Sequence, residues 1–392
     1  MIRTTRRRFV LTGAAGGLTA ALPFGSSLAV HSDARFLLVI LRGGMDGLAA
    51  LPPIGDPHLE SFRARFLEAG HLELAGQDLF ALHPDLTAFQ RLWDRRELLA
   101  LHATGTPYRE RSHFDAQNVL ESGLEAPSGT TDGWLNRAIA STSGLGDAAM
   151  AIGHRPPLVM QGATKVGSWS PNGLPDADAS TIERVAELWA DDPLLGPHIA
   201  RAIEQQGMTA SLSNGMGDVK RARRSIVPLL EGAADLMART DGPRIVALDN
   251  AGWDTHVRQI NDLGLKLRDL NEGIASAVRT LRPVWNRTVI MIVTEFGRTV
   301  AINGNEGTDH GNGAAAFLLG GAVNGGRVIA DWPGLDPHSL LDGRDLRVTL
   351  DIRRVFERIM AEHVGLPGHT LRNIVFPGLG DSRGLDGLFR TA

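Results

Sequence analysis

Apolar residues gather along this chain in short, nearly unbroken runs. The first is Phe36 to Leu41, and others follow at Glu97 to His102, Arg244 to Asp249, Thr288 to Thr294 and Ala314 to Leu319. Short β-branched and aliphatic runs bounded by turn residues predict strands buried on both faces, the habit of parallel sheets. Between them, apolar positions recur at three and four, which predicts helices over 86–92, 114–121, 134–140, 182–189, 218–240, 258–282 and 348–363, the last entered near Asp351. A short strand is expected at 325–329, another after Pro156-Pro157, and a loop excursion over 52–83 with one helix at 59–69. Lys220, Arg221, Arg223 and Arg224 give the 218–240 segment a basic, solvated start. The Pro/Gly-rich tail from Gly365 is expected to wrap the surface. Strand and helix alternate regularly from Arg244 onward, so the fold class is α/β, with a mostly parallel central sheet and helices on both faces.

Composition narrows the chemistry. The 392 residues are 43% hydrophobic and 21% charged, ordinary for a globular enzyme, and residues 30–392 read as one domain with an irregular insertion around 124–217. Cysteine is absent, which excludes disulfides, cysteine-ligated zinc or iron–sulfur clusters, and a cysteine nucleophile. The formal net charge of −4, with four arginines and no acid in the first 29 residues, leaves a more acidic body and argues against a nucleic-acid partner. Residues 1–29 read as a twin-arginine signal peptide: Arg6-Arg7-Arg8-Phe9, a weakly apolar Gly/Ala stretch, then Ser27-Leu28-Ala29 as a small-x-small cleavage site. The expected partner is the twin-arginine translocation machinery, and the expected location periplasmic or secreted. Gly13, Gly16, Gly17 and Pro23 dilute the stretch too much for a stable membrane span.

Polar residues collect where the strands end. The first run stops at Arg42-Gly43-Gly44-Met45-Asp46-Gly47, with glycines leaving Asp46 exposed at a sharp turn. Arg244 to Asp249 leads into Gly252-Trp253-Asp254-Thr255-His256. Thr288 to Thr294 stops at Glu295-Phe296-Gly297-Arg298, and a Gly/Asn-rich loop continues to Asp309-His310-Gly311. Open α/β sheets bind ligands beyond the carboxyl ends of their strands. Asp254, His256, Glu295, Asp309 and His310 there form an oxygen- and nitrogen-donor set suited to a divalent metal. Before the helix at 114–121, Tyr108 to Asn118 is dense in polar groups, and Ser112 at its start is either a cap or a nucleophile near the dipole's positive end. Each residue also has a structural alternative: Asp254 as a helix cap, His256 as a buried imidazole, Asp46 and Asp309 as turn formers. No G-x-G-x-x-G follows the first strand and no G-x-S-x-G occurs, which removes the dinucleotide-binding and nucleophile-elbow readings.

The blocks LRGGMDGL (41–48), RSHFDAQ (111–117), GWDTH (252–256), TEFGRT (294–299), GTDHG (307–311) and Asp331-Trp332-Pro333 resemble the exported bacterial family catalogued as domain of unknown function 1501. That family is similar to the alkaline phosphatase and sulfatase superfamily, whose members hold two divalent metals at strand ends and attack phosphate or sulfate esters with a Ser/Thr-type nucleophile. The resemblance implies an alkaline phosphatase-like fold, with Asp46 as the first metal aspartate, Ser112 as nucleophile, Asp254 and His256 as a metal pair, and His310 completing it beside Asp309. It departs at Glu295-Phe296, where such relatives carry Asp-His, since phenylalanine cannot ligate. The function expected is a metal-dependent hydrolase of phosphate or sulfate esters using zinc, calcium, magnesium or manganese on a small anionic ester or glycan. Arg42 and Arg298 would hold the anion, and His113 or His102 would move protons. The alternative is a non-catalytic descendant that binds an anion, a glycan or a partner.

Overall fold

A computed structural model describes residues 33–390, apart from 143–144, 147, 154, 172–178, 194, 198, 201–202, 204–224 and 381–384. The expected signal segment and the basic stretch Lys220 to Arg224 lie outside the described residues. Strand β1 is Arg35–Arg42, and a hairpin of β2 (Leu72–Leu74) and β3 (Gln77–Leu82) follows. Then come β4 (Leu98–Gly105), β5 (Ala149–Ile152), β6 (Gly167–Trp169), β7 (Ile245–Ala251) and β8 (Thr288–Val293). Strands β9 (Ala314–Leu319), β10 (Arg327–Ile329) and β11 (Leu350–Asp351) complete the set.

The main sheet runs β10-β4-β9-β8-β1-β7-β5-β6, with β11 also on β4. Its pairings are parallel except those of β9, which runs antiparallel to both β4 and β8. β1 lies at the centre, with Leu38 opposite Ala247 of β7 and Met291 of β8. Side chains alternate across a strand, so Leu37, Val39 and Leu41 join one core while Phe36, Leu38 and Ile40 join the other. That is why the run is apolar without interruption.

The first core is closed by helices Thr87–Asp94, Val227–Ala238 and Gln259–Thr280, the last presenting Leu263, Leu267, Leu270, Ile274 and Ala277 at helical spacing. The second is closed by helices Trp134–Ala140 and Ile352–Arg358 and by the C-terminal segment. Asp351 caps the latter helix by accepting from the Arg353 amide. This is the α/β architecture with helices on both faces that the patterning predicts.

Four local expectations need correction. Residues 72–82 form a hairpin where a loop was expected, turning at Gly76 with φ +76°. Leu158–Met160 is a 3₁₀ turn, not a strand. The 348–363 helix is α-helical only over Ile352–Arg358 and continues as a π-helix through Val364. The tail is no surface wrapping, because Leu371, Val375, Phe376, Leu385 and Leu388 are buried in the second core. Within 124–217, β5 and β6 extend the sheet beyond β7.

Strand direction gathers the polar segments at one end. β1, β7 and β8 point their carboxyl ends the same way, and antiparallel β9 begins where they finish, so the 42–46, 252–256, 294–298 and 308–312 segments meet there.

Candidate metal centre

Four side chains converge at that end. His113, Asp254 and His310 each offer a ligand atom within 4.8 Å of the others. His256 joins them, its Nε2 lying 2.9 Å from Asp254 Oδ1 and 3.0 Å from His310 Nε2. His310 Nε2 is 3.1 Å from the same Oδ1, and His113 Nε2 is 3.4 Å from Asp254 Oδ2.

The outer nitrogen of each ring is already taken. His113 Nδ1 donates to Glu295 Oε1 (2.8 Å), His256 Nδ1 to Asp309 Oδ1 (3.1 Å) and His310 Nδ1 to the Arg111 carbonyl (3.1 Å). A backbone carbonyl and ionised carboxylates only accept, so each Nδ1 carries the proton. Each ring therefore has its Nε2 left to turn toward the Asp254 carboxylate. His113 Nε2 is buried with no hydrogen-bond partner. A carboxylate ringed by three imidazoles needs positive charge beside it, either as protons on the rings or as a cation between them. His113, Asp254 and His310 make a three-donor group that fits a divalent ion, and His256, 3.0 Å from His310 Nε2, stands beside it as a further donor.

The supporting parts follow from the local chain. Glu295, nearly fully buried just past β8, accepts from the Gly43 amide (2.9 Å), the Gly44 amide (3.2 Å), Thr294 Oγ1 (3.0 Å) and Gln117 Nε2 (2.9 Å) besides His113. Gly43 has φ +124°, and a Cβ there would lie 2.5 Å from the Asp254 amide, so only glycine lets these turns touch. Burial pushes the Glu295 carboxyl up, but the bonds from His113, Gln117 and the backbone outweigh it and hold it below its ordinary value. The same bond to Glu295 holds the His113 imidazole above its ordinary value despite burial. Burial lowers His310, and the neighbouring His113 lowers it further. At Asp254 burial acts upward, yet Arg298 outweighs it and keeps the carboxyl low.

His310 reaches the cluster because residues 294–313 fold back as a hairpin-like excursion. Arg298 bridges to His310, the Thr299 amide bonds the Asp309 carbonyl (2.9 Å), and the Gly311 amide bonds the Gly297 carbonyl (2.8 Å).

Several predicted roles change. Asp46 is not in the cluster: it is fully buried, capping a short helix through the Leu48 amide and accepting from Arg63 Nη1 (2.6 Å) and from Gln259 Nε2. A guanidinium, also buried, already supplies its counter-charge. Glu295 and Asp309 stand behind His113 and His256 instead of facing the centre. Hydrogen bonding from Asn303 and then His256 keeps Asp309 below its ordinary value.

Neither predicted anion clamp is free. Arg298 is buried and spends its donors on Asp254 Oδ1 (2.5 Å), the Gly43 carbonyl, and the hydroxyl and carbonyl of Thr308. Arg42 is paired with Glu121 (2.8 Å) and Asp249. His113, expected to move protons, stands within the cluster. His102 lies apart, buried between Phe80 and Trp332. Asp254 does not cap the following helix, whose N-cap is Arg258. Ser112 occupies the N-cap position of helix His113–Ser122 but makes no capping bond; it neighbours Tyr108 and directly follows the Arg111 carbonyl that holds His310. Phe296 is buried, its ring 4.8 Å from that of His113 and 5.0 Å from that of His310. Gln117 and Asn303 escaped the sequence reading; Gln117 lies one helical turn after His113, a spacing that places both on one face.

The family model described as protein of unknown function (DUF1501) matches residues 93–375, a span that includes every residue of the cluster. The chain belongs to the DUF1501 family. No curated protein matches it. Among solved structures, this DUF1501 member is similar to Ps i-CgsB, solved in complex with k-i-k-neocarrahexaose, at 9% identity and TM-score 0.44, covering 86% of this chain and 74% of that one. It is also similar to the phosphonate monoester hydrolase of Agrobacterium radiobacter (9% identity, TM-score 0.37, 76% and 70% covered). A third is BT1596, a 2-O GAG sulfatase (12% identity, TM-score 0.36, 86% and 72% covered). These likenesses concern fold class alone. No helix among the described residues is long and apolar enough to cross a membrane.

Proposed function

We propose that this DUF1501 protein is an exported, metal-dependent hydrolase of phosphate or sulfate esters with one cation site, formed by His113, Asp254, His256 and His310. The observation that carries the reading is the shared orientation of the three rings, each Nδ1 held from behind and each Nε2 turned toward Asp254. Nitrogen-rich donors favour a borderline ion such as zinc over calcium or magnesium. When bound, such an ion supplies Lewis-acid polarisation of an ester oxygen. The chain's own groups do the positioning: Glu295 and Asp309 fix ring orientation, Arg298 keeps Asp254 ionised, and the Arg111 carbonyl sets the His310 tautomer. Ser112 is our assignment for the nucleophile, since its hydroxyl is not spent on capping and the helix dipole favours negative charge there. Residues 1–29 are proposed to direct twin-arginine export, with residues 30–392 forming one domain.

A second reading, non-catalytic binding of an anion, glycan or partner, draws on the commitment of Arg42 and Arg298 to carboxylates and on the packing of Phe296 against two of the rings. Metal analysis of the purified protein, together with turnover of aryl phosphate and aryl sulfate esters, separates the two. The hydrolase reading expects about one metal per chain, lost in His256→Ala and His310→Ala, and turnover lost in Ser112→Ala. Metal and ligand binding without turnover would support the second reading. A metal-free, inert wild type would remove the first.

A further inference from the structure

Helix Gln259–Thr280 starts just after the Asp254 loop and runs back along the sheet for 22 residues, so its last turn lies roughly 30 Å from the cluster. There, against helix Thr87–Asp94, it borders a groove of about 220 Å³. Leu92 and Val278 contribute apolar wall, and the charged residues lining it are Arg91, Arg95 and Arg279. No acidic side chain among the described residues lines it.

Two of these arginines lack a carboxylate partner among the described residues, as Arg282 and Arg372 also do elsewhere on the surface. The guanidiniums of Arg42, Arg63, Arg111, Arg298 and Arg353 are all tied to carboxylates. Arg95 spends its Nε on Glu97 (2.8 Å), whereas Arg91 and Arg279 have no side-chain hydrogen bond or ion pair with any described residue. A fourth guanidinium, Arg390, reaches the same corner by donating to the carbonyls of Arg95 (3.2 Å) and Arg96 (2.9 Å). Like charges gathered on a chain of net charge −4 repel one another unless an anion joins them. Guanidiniums present paired N–H donors at the spacing of phosphate oxygens.

We propose that this groove binds a phosphate group, remote from the metal centre and independent of any hydrolase activity. The shared chemistry is the phosphate oxyanion, carried either free in solution or on a lipid headgroup.

The test uses the full mature chain in the His256→Ala background, so that anion binding at the metal centre does not intrude. Inorganic phosphate is titrated calorimetrically, and sedimentation with phosphatidylglycerol vesicles is compared with phosphatidylcholine vesicles. Each is repeated after Arg91→Glu with Arg279→Glu. The expected result is binding that weakens on the order of tenfold or more for each guanidinium lost. Loss in both assays, or for inorganic phosphate alone, identifies a site for the free anion; loss confined to phosphatidylglycerol vesicles identifies a lipid-borne phosphate. Binding that is unchanged by the charge reversal, or missing before it, overturns the proposal. Arg91→Gln with Arg279→Gln gives the same comparison should reversal disturb folding.

Discussion

A carboxylate behind an imidazole decides where that ring's lone pair points, and Glu295 does this for His113 while also tying down two backbone amides of the 42–46 turn. Glu295→Gln keeps the shape but exchanges a pure acceptor for a group with only one accepting atom. Metal affinity is expected to fall roughly 10- to 100-fold with the fold intact, measured by competition with a chelating dye beside circular dichroism. His102 makes a different prediction. Burial holds its imidazole neutral, with its pKa lowered to about 4, while the unfolded chain titrates near the ordinary 6.5. The unfolded state alone takes up a proton between those values, so this contribution is complete above pH 6.5 and is lost as pH falls toward 4. The loss amounts to about 3 kcal/mol. Urea unfolding of wild type and His102→Phe across that range checks it: the variant's stability should depend less on pH.

At the level of elements, the hairpin-like excursion between β8 and β9 is the part that turns a sheet edge into a site. A Cβ on Gly311 would lie 2.4 Å from the Arg298 carbonyl carbon, so Gly311→Ala must part the two arms and move His310. The expected outcome is lost metal binding in a protein that still folds, read by metal content and thermal melting; retained stoichiometric metal would count against the geometry. The strands that carry the site were legible because a short, unbroken apolar run between turn residues suits little besides a strand buried on both faces. The 42–46, 252–256 and 294–298 turns were legible as their sequels. Ring orientation was not, since nothing in the spacing of Asp309 or Glu295 tells whether a carboxylate faces a metal or stands behind a histidine. The β2–β3 hairpin was hidden by the surrounding Pro and Gly residues, and the apolar positions of the tail were too sparse to announce a core. The pairing of Asp46 with Arg63 depends on how a helix packs across the strand ends, information that no local pattern holds.

For the whole molecule, the proposed ligands come from three segments spread from residue 113 to residue 310, so an ion that binds them couples distant parts of the chain. Binding only the folded form stabilises it by mass action, by about 2.7 kcal/mol when free metal exceeds its dissociation constant a hundredfold. The melting temperature of wild type should therefore rise with added zinc, and that of His256→Ala with His310→Ala should not. A matching rise in both proteins would place the ion elsewhere.

Asp46 and Arg63 give the same end of the sheet a different character. There the cation is part of the polymer and cannot be dialysed away or captured by a chelator. Stripping the protein should leave that corner standing, with the neighbouring histidine cluster ready to accept its ion again, so depletion followed by resupply ought to restore the starting state without a round of refolding.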